Sequence, residues 1–155
     1  AADHAPGARA AAESADGGAS CPAIASGAPL TSRKSTFQAH VASVRSPGEV
    51  AMVQRALLQD RKIAKATHNM MAYRIDRGNG LFSADNDDDG ESAAGSRLAH
   101  LLEIVDARDV VVVVSRWYGG VQLGPARFKL INNVARERLQ QQGFLSDRAS
   151  AASEP

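Results

Sequence analysis

A chain of 155 residues with 44% apolar content has room for one domain with a single buried core. Its 18 basic and 17 acidic side chains leave a formal charge of +1, which by itself makes no case for a nucleic-acid or membrane partner. A single cysteine, Cys21, excludes an internal disulfide and a cysteine-based zinc cluster and suits a reducing, cytoplasmic compartment; the longest apolar run, Val110 to Val114, is far too short to span a bilayer.

Residues 1–30 are rich in Ala, Gly, Pro and Ser with almost no large apolar side chain. Such a segment cannot offset its ordering entropy, so it reads as a disordered linker or fragment end. The domain is expected over 31–145. Phe37, Ala39 and Val41 alternate with Gln38 and His40, the period of a half-buried strand over about 36–45. Ser46-Pro47 with Glu49 reads as a helix start, and Val50, Val53, Leu57 and Leu58 carry an apolar stripe to about residue 60–64. His68 to Asp76 alternates as a strand, Arg77-Gly78-Asn79-Gly80 marks a turn, and Leu81 to Ala84 completes a hairpin.

Leu98, Leu101, Leu102 and Val105 place one apolar face on a helix within 91–106. The five valines at 110–114 predict a central strand covered on both sides or running through the middle of the sheet. Gly124-Pro125 opens a last helix with Phe128, Ile131, Ala135 and Leu139 inward, and Gly143 stops it. Residues 146–155 read as a flexible tail. The order of elements predicts a two-layer α/β domain of the α+β sandwich kind with about four strands.

Three segments carry candidate chemistry. Asp85, Asp87 and Asp89 followed by Gly90 match the opening of a calcium loop, but its twelfth position holds Ser96 in place of a bidentate acid. Asp88, Asp89, Gly90 and Glu91 then read as an acidic helix start. Gly90 to Arg97 has the small residues of a phosphate-binding helix start, yet Ser96-Arg97 stands where nucleotide hydrolases need Lys and then Ser or Thr. The third segment, Ser115 to Pro125, leads off the central strand with Arg116, Trp117 and Tyr118 into Gly119, Gly120 and Gly124, where α/β domains tend to hold ligands. His68 beside Asn69 is the most functional-looking of the histidines. Neither a nucleophile with its base nor a metal cluster is recognisable, so no catalytic residue, metal or cofactor is expected.

The motifs Lys34-Ser35-Thr36-Phe37-Gln38-Ala39-His40, Lys65-Ala66-Thr67-His68-Asn69 with Tyr73-Arg74, Asp88-Asp89-Gly90-Glu91-Ser92-Ala93-Ala94-Gly95, and Arg116-Trp117-Tyr118-Gly119-Gly120 with Leu123-Gly124-Pro125 and Arg127-Phe128 occur in order. Together they resemble the ancestral domain of the IMPACT family of translation regulators, whose bacterial relatives include YigZ, over about residues 33–142. Trp117 and Asn132-Asn133-Val134-Ala135-Arg136 are similar to the eukaryotic branch. The resemblance implies a fold like the second domain of small-subunit ribosomal protein five, a mixed four-stranded sheet with helices on one face. It further implies a cytoplasmic, monomeric and non-catalytic role in restraining the general-control kinase of the amino-acid starvation response, through protein partners or the ribosome. Family members of this branch begin with an RWD domain, and nothing in residues 1–30 resembles one. His68, Asn69, Asp88, Asp89, Gly90, Glu91, Arg116, Trp117, Tyr118, Gly119, Gly120, Gly124 and Arg127 are the expected binding residues. A sequence-tolerant RNA-binding domain and an enzyme acting on a phosphorylated small molecule are the alternatives.

Overall fold

The computed structural model describes residues 20–145, so the readings for residues 1–19 and for the tail 146–155 lie outside the described part. In chain order the elements are β1 (Ile24–Ser26), β2 (Leu30–Ser32), β3 (Ser35–Ser43), α1 (Pro47–Leu58), the single turn α2 (Arg61–Ala64), β4 (His68–Gly78), β5 (Leu81–Asp87), α3 (Ala94–Ile104), β6 (Val110–Trp117) and α4 (Ala126–Gln141). The sheet runs β1-β3-β6-β4-β5, with β2 also paired to β3. The α+β class expected from the element order is what the chain adopts.

Three details of the expected architecture are corrected. The sheet has six strands, because Ile24–Ser26 and Leu30–Ser32 each pair with β3. Both begin before Thr31, where the domain was expected to start. The segment around them is held by sheet hydrogen bonds and by burial of Cys21 against Met52 and Ala56, contacts that a three-residue strand cannot announce by periodicity. Every pairing is antiparallel rather than mixed. The reason is that β6 inserts between β3 and β4 and runs opposite to both, so the crossover from β3 through α1 to β4 does not create a parallel pair.

The third correction concerns the helices, which cover both faces of the sheet rather than one. Val110, Val112 and Val114 pack with Phe37, Ala39, Met70 and Ala72 beneath Leu98 and Leu102 of α3 and Ile131, Ala135 and Leu139 of α4. Val111 and Val113 point the other way, into Val50, Val53 and Leu57 of α1 with Ile63, Met71 and Ile75. Successive strand residues face opposite sides, and an unbroken valine run is apolar on both. The valine stretch is therefore buried along its full length.

Local signals place the helices. Ser46 caps α1, its hydroxyl accepting from the Glu49 N–H at 3.2 Å, while the Glu49 carboxylate reaches back past the cap to accept from the Arg45 N–H at 2.7 Å. Asp60 caps α2 and thereby breaks the helical stretch expected to run on to residue 60–64. The hairpin turns at Asn79 and Gly80, both at positive φ, and β5 extends through Asp87, three residues beyond the expected end at Ala84. Gly143, at φ +80°, stands just beyond the end of α4.

A buried polar chain crosses the α1 face of the sheet. His40 is 1% exposed and lies 2.8 Å from the Ser26 hydroxyl by Nδ1 and 3.0 Å from the Ser115 hydroxyl by Nε2. Ser115 in turn donates to Asn69 Oδ1 at 2.6 Å, and the Asn69 amide donates to the Ile63 carbonyl. Since Ser115 spends its proton on Asn69, His40 must donate from Nε2 and accept from Ser26 at Nδ1, which fixes the neutral tautomer. Burial pushes the His40 pKa down to about 4, with Asp60 opposing weakly.

Two outcomes follow from this packing. Leu102→Ala, at a site with no exposure, should cost about 3 kcal/mol in urea unfolding, whereas Ile104→Ala on the solvent side of the same helix should stay within about 0.5 kcal/mol. For His40 the folded pKa lies below the unfolded value, so the unfolded chain takes up the proton first as pH falls. Stability should drop by about 3 kcal/mol between pH 6.5 and 4, and His40→Asn should flatten that slope.

Candidate functional site

The end of β6 and the start of β4 meet in register, with His68 opposite Arg116. From there the two glycine-bearing loops converge on the α3–α4 side of the sheet. Glu91, on the loop before α3, lies between two guanidiniums. One carboxylate oxygen accepts from Arg116 Nη1 in an ion pair, and the other accepts from Arg127 Nε at 2.9 Å. Arg116 also reaches the Ser35 hydroxyl at 3.3 Å, and Arg127 Nη1 donates to the Gly124 carbonyl at 2.7 Å. Glu91 and Arg116 are 6% and 5% exposed, so their charges are compensated by each other and not by water.

His68 stands beside this clasp. Its Nδ1 donates to the Asp89 carbonyl at 2.8 Å, and Nε2 lies 4.0 Å from Glu91. Asp89 also accepts from the Asn69 N–H at 2.7 Å, which ties the acidic loop to the first residues of β4. Asp88 is spent on the helix start, since its two oxygens accept from the Gly95 N–H at 2.7 Å and the Ala93 N–H at 3.1 Å. Gly90 turns at φ +87° against the His68 ring. A Cβ at Gly95 would lie 2.6 Å from Asn86 Oδ1 and 2.8 Å from both Asp88 Oδ1 and the Asp87 backbone, so the small residues here permit close approach of the acidic loop to the helix. Among the described residues no group of three or more His, Cys, Asp or Glu side chains is arranged to hold a metal ion.

The result is a cleft of about 340 Å³ lined by Thr67, His68, Glu91, Arg116, Tyr118, Gln122, Leu123, Gly124 and Arg127. Six of the expected residues line it directly, and Asn69, Asp88, Asp89 and Gly90 brace its wall. Trp117 lies away from the cleft. It follows Arg116 on a strand and must face the other side, where its indole N–H donates to the Lys62 carbonyl at 2.9 Å and the Lys62 ammonium lies 5.4 Å from the ring. Gly119 does not line the cleft either; a Cβ there would overlap the Lys34 carbonyl, so this glycine lets the Lys34 turn close on the loop. Gly120 turns at φ +94° with open space around it. Thr67, Gln122 and Leu123 were not singled out in the sequence. Thr67 and Leu123 lie within the recognised motifs, and the Thr67 hydroxyl accepts from the Tyr118 N–H at 2.9 Å.

Comparison with known proteins bears directly on these motifs. The profile of the Impact N-terminal domain matches residues 33–139. The chain belongs to the IMPACT family. The IMPACT protein of Bos taurus is 56% identical over 124 residues, covering 79% of this chain and 39% of that protein. The IMPACT homolog of Schizosaccharomyces pombe is 59% identical over 109 residues, covering 70% of this chain and 39% of that protein. This IMPACT-family chain thus spans about two-fifths of the length of these relatives. Among solved structures, the two-domain translational regulator Yih1 aligns at a TM-score of 0.59 with 46% identity, over 79% of this chain and 48% of that one. A hypothetical protein of known structure aligns at a TM-score of 0.62 with 19% identity, over 78% of this chain and 59% of that one, a likeness of fold alone. Among the described residues no helix is long and apolar enough to cross a membrane.

Removing the acid at the centre should separate bracing from clasp. Glu91→Ala leaves Arg116 buried without a counter-charge and should cost about 3 kcal/mol in chemical denaturation, against about 1 kcal/mol for loss of the Asp88 cap in Asp88→Ala.

Proposed function

We propose that this IMPACT-family domain is a non-catalytic part of a translation regulator in the general-control response to amino-acid starvation, working in the cytoplasm by contact with protein partners or the ribosome. The observation that carries this reading is the 46% identity to the translational regulator Yih1 over 79% of the chain, a span that includes the cleft motifs. The state of the polar groups agrees with binding rather than turnover. Both Glu91 oxygens and both Asp88 oxygens are taken up in holding the structure together, and His68 is tied to the Asp89 backbone. None of these groups stands beside a nucleophile that it would activate.

The contact surface is formed by the loop that follows β6. Tyr118 and Val121 are exposed there, with Arg127 at the cleft wall. Tyr and Arg beside an apolar neighbour are the residue types that dominate binding energy at protein interfaces. The expected partners are the kinase of the general-control pathway, its ribosome-associated activator, or the ribosome itself.

Tyr118→Ala combined with Val121→Ala, both exposed side chains outside the Glu91 clasp, should therefore weaken ribosome co-sedimentation or pull-down of the kinase or activator by about tenfold or more, with the thermal midpoint little changed. Binding of all three partners unaltered by the double substitution would contradict this reading.

A further inference from the structure

The cleft carries charge and shape that contact with a folded partner does not use up. Arg116 and Arg127 line it, and Arg97 lies close by, its guanidinium 4.1 Å from the Phe128 ring that Arg127 approaches at 4.4 Å. Arg97 makes no ion pair among the described residues, and the only carboxylate lining the cleft is Glu91, whose two oxygens are already shared. Among the lining side chains two guanidiniums thus meet one carboxylate, while Asp88 and Asp89 behind the wall are committed to backbone N–H groups. Arg127 is partly exposed at the cleft wall, with Nε on Glu91 and Nη1 on the Gly124 carbonyl, so its remaining N–H groups are donors that an entering oxyanion can use.

Beside the arginines the lining is different in kind. Tyr118 is 46% exposed, with Arg116 5.6 Å from its ring centroid. The volume of about 340 Å³ lies at the small end of the range for small-molecule sites. His68 donates from Nδ1 to the Asp89 carbonyl, which leaves Nε2 on the cleft side, 4.0 Å from Glu91.

We propose that this cleft binds a nucleoside monophosphate unit, its phosphate on the arginine side and its base against Tyr118. A phosphate carries up to two negative charges and several acceptor oxygens, so it answers surplus guanidinium charge better than a single carboxylate does. A base is flat and stacks on an exposed phenol ring, whereas a phosphorylated serine has nothing to lay there. His68 Nε2 is placed to hydrogen-bond with a sugar hydroxyl. The unit is either a free mononucleotide or the 5′ end of an RNA strand, which present the same groups. This assignment does not depend on the protein-partner reading above.

Titration calorimetry of the chain with AMP, adenosine, inorganic phosphate and a phosphoserine peptide tests it. AMP should bind at least tenfold more tightly than adenosine or inorganic phosphate. Tyr118→Leu should weaken AMP about tenfold and leave inorganic phosphate unchanged, while Arg127→Gln should weaken both. A 5′-phosphorylated oligoadenylate binding tenfold better than its 5′-hydroxyl counterpart assigns the end of a strand, and AMP binding without that preference assigns the free nucleotide. Absence of AMP binding at millimolar concentration overturns the proposal. So does AMP binding indifferent to Tyr118→Leu, or a phosphoserine peptide that binds as tightly as AMP, which would transfer the cleft to a phosphorylated protein segment. If Arg127→Gln fails to fold, the exposed Tyr118 variant decides alone. Partner pull-down reads the regulatory role separately, so either conclusion can fail without the other.

Discussion

One carboxylate bridging two guanidiniums holds the functional end of this molecule together. Glu91 arrives from the loop before α3, Arg116 from the end of β6 and Arg127 from the first turn of α4, three segments far apart in the chain. Two charges as deeply buried as Glu91 and Arg116 lose most of their hydration, and only close pairing offsets that loss. The clasp therefore fixes where the loops sit. It also sets the sign of the cleft, because one acid cannot neutralise every guanidinium gathered around it.

The surroundings of the clasp explain why so many small and polar residues crowd into one stretch. Asp88 spends both oxygens on the α3 start, Asp89 ties the loop to His68 and Asn69, and Gly95 lets the acidic loop lie against the helix. The acidic run thus serves three structural tasks before any ligand is considered. On the far side of the sheet the Ser26–His40–Ser115–Asn69 chain links β1, β3, β6 and β4, so the strand that carries Arg116 is held by polar bonds on one face and by the clasp on the other. Its position is over-determined, as a preformed binding wall requires.

Much of this was legible in the residues. The valine run announced the central strand, the Ser46-Pro47 and Glu49 signature the first long helix, and the leucine spacing α3, because each is a local pattern with a local cause. The Gly90 and Arg116 loops were each marked by their motifs, and the fold brings them together. What escaped was non-local. The strand Ile24–Ser26 is made by pairing with β3, and no three-residue pattern encodes that. The covering of both sheet faces was implicit in consecutive valines, yet the expectation taken from the family resemblance placed the helices on one. Trp117 was grouped with Arg116 by adjacency, although neighbours on a strand face opposite ways. Glu91 looked like one more acid at a helix start, and only the arrival of Arg116 and Arg127 from distant positions made it the centre of the site.

The central claim is that Glu91 and Arg116 are energetically one unit. A double-mutant cycle with Glu91→Gln, Arg116→Gln and the paired variant, read by urea unfolding, measures this directly. The account predicts a coupling of about 2 kcal/mol, with the pair far less destabilised than the sum of its singles. Additive losses, with coupling within about 0.3 kcal/mol of zero, would contradict it.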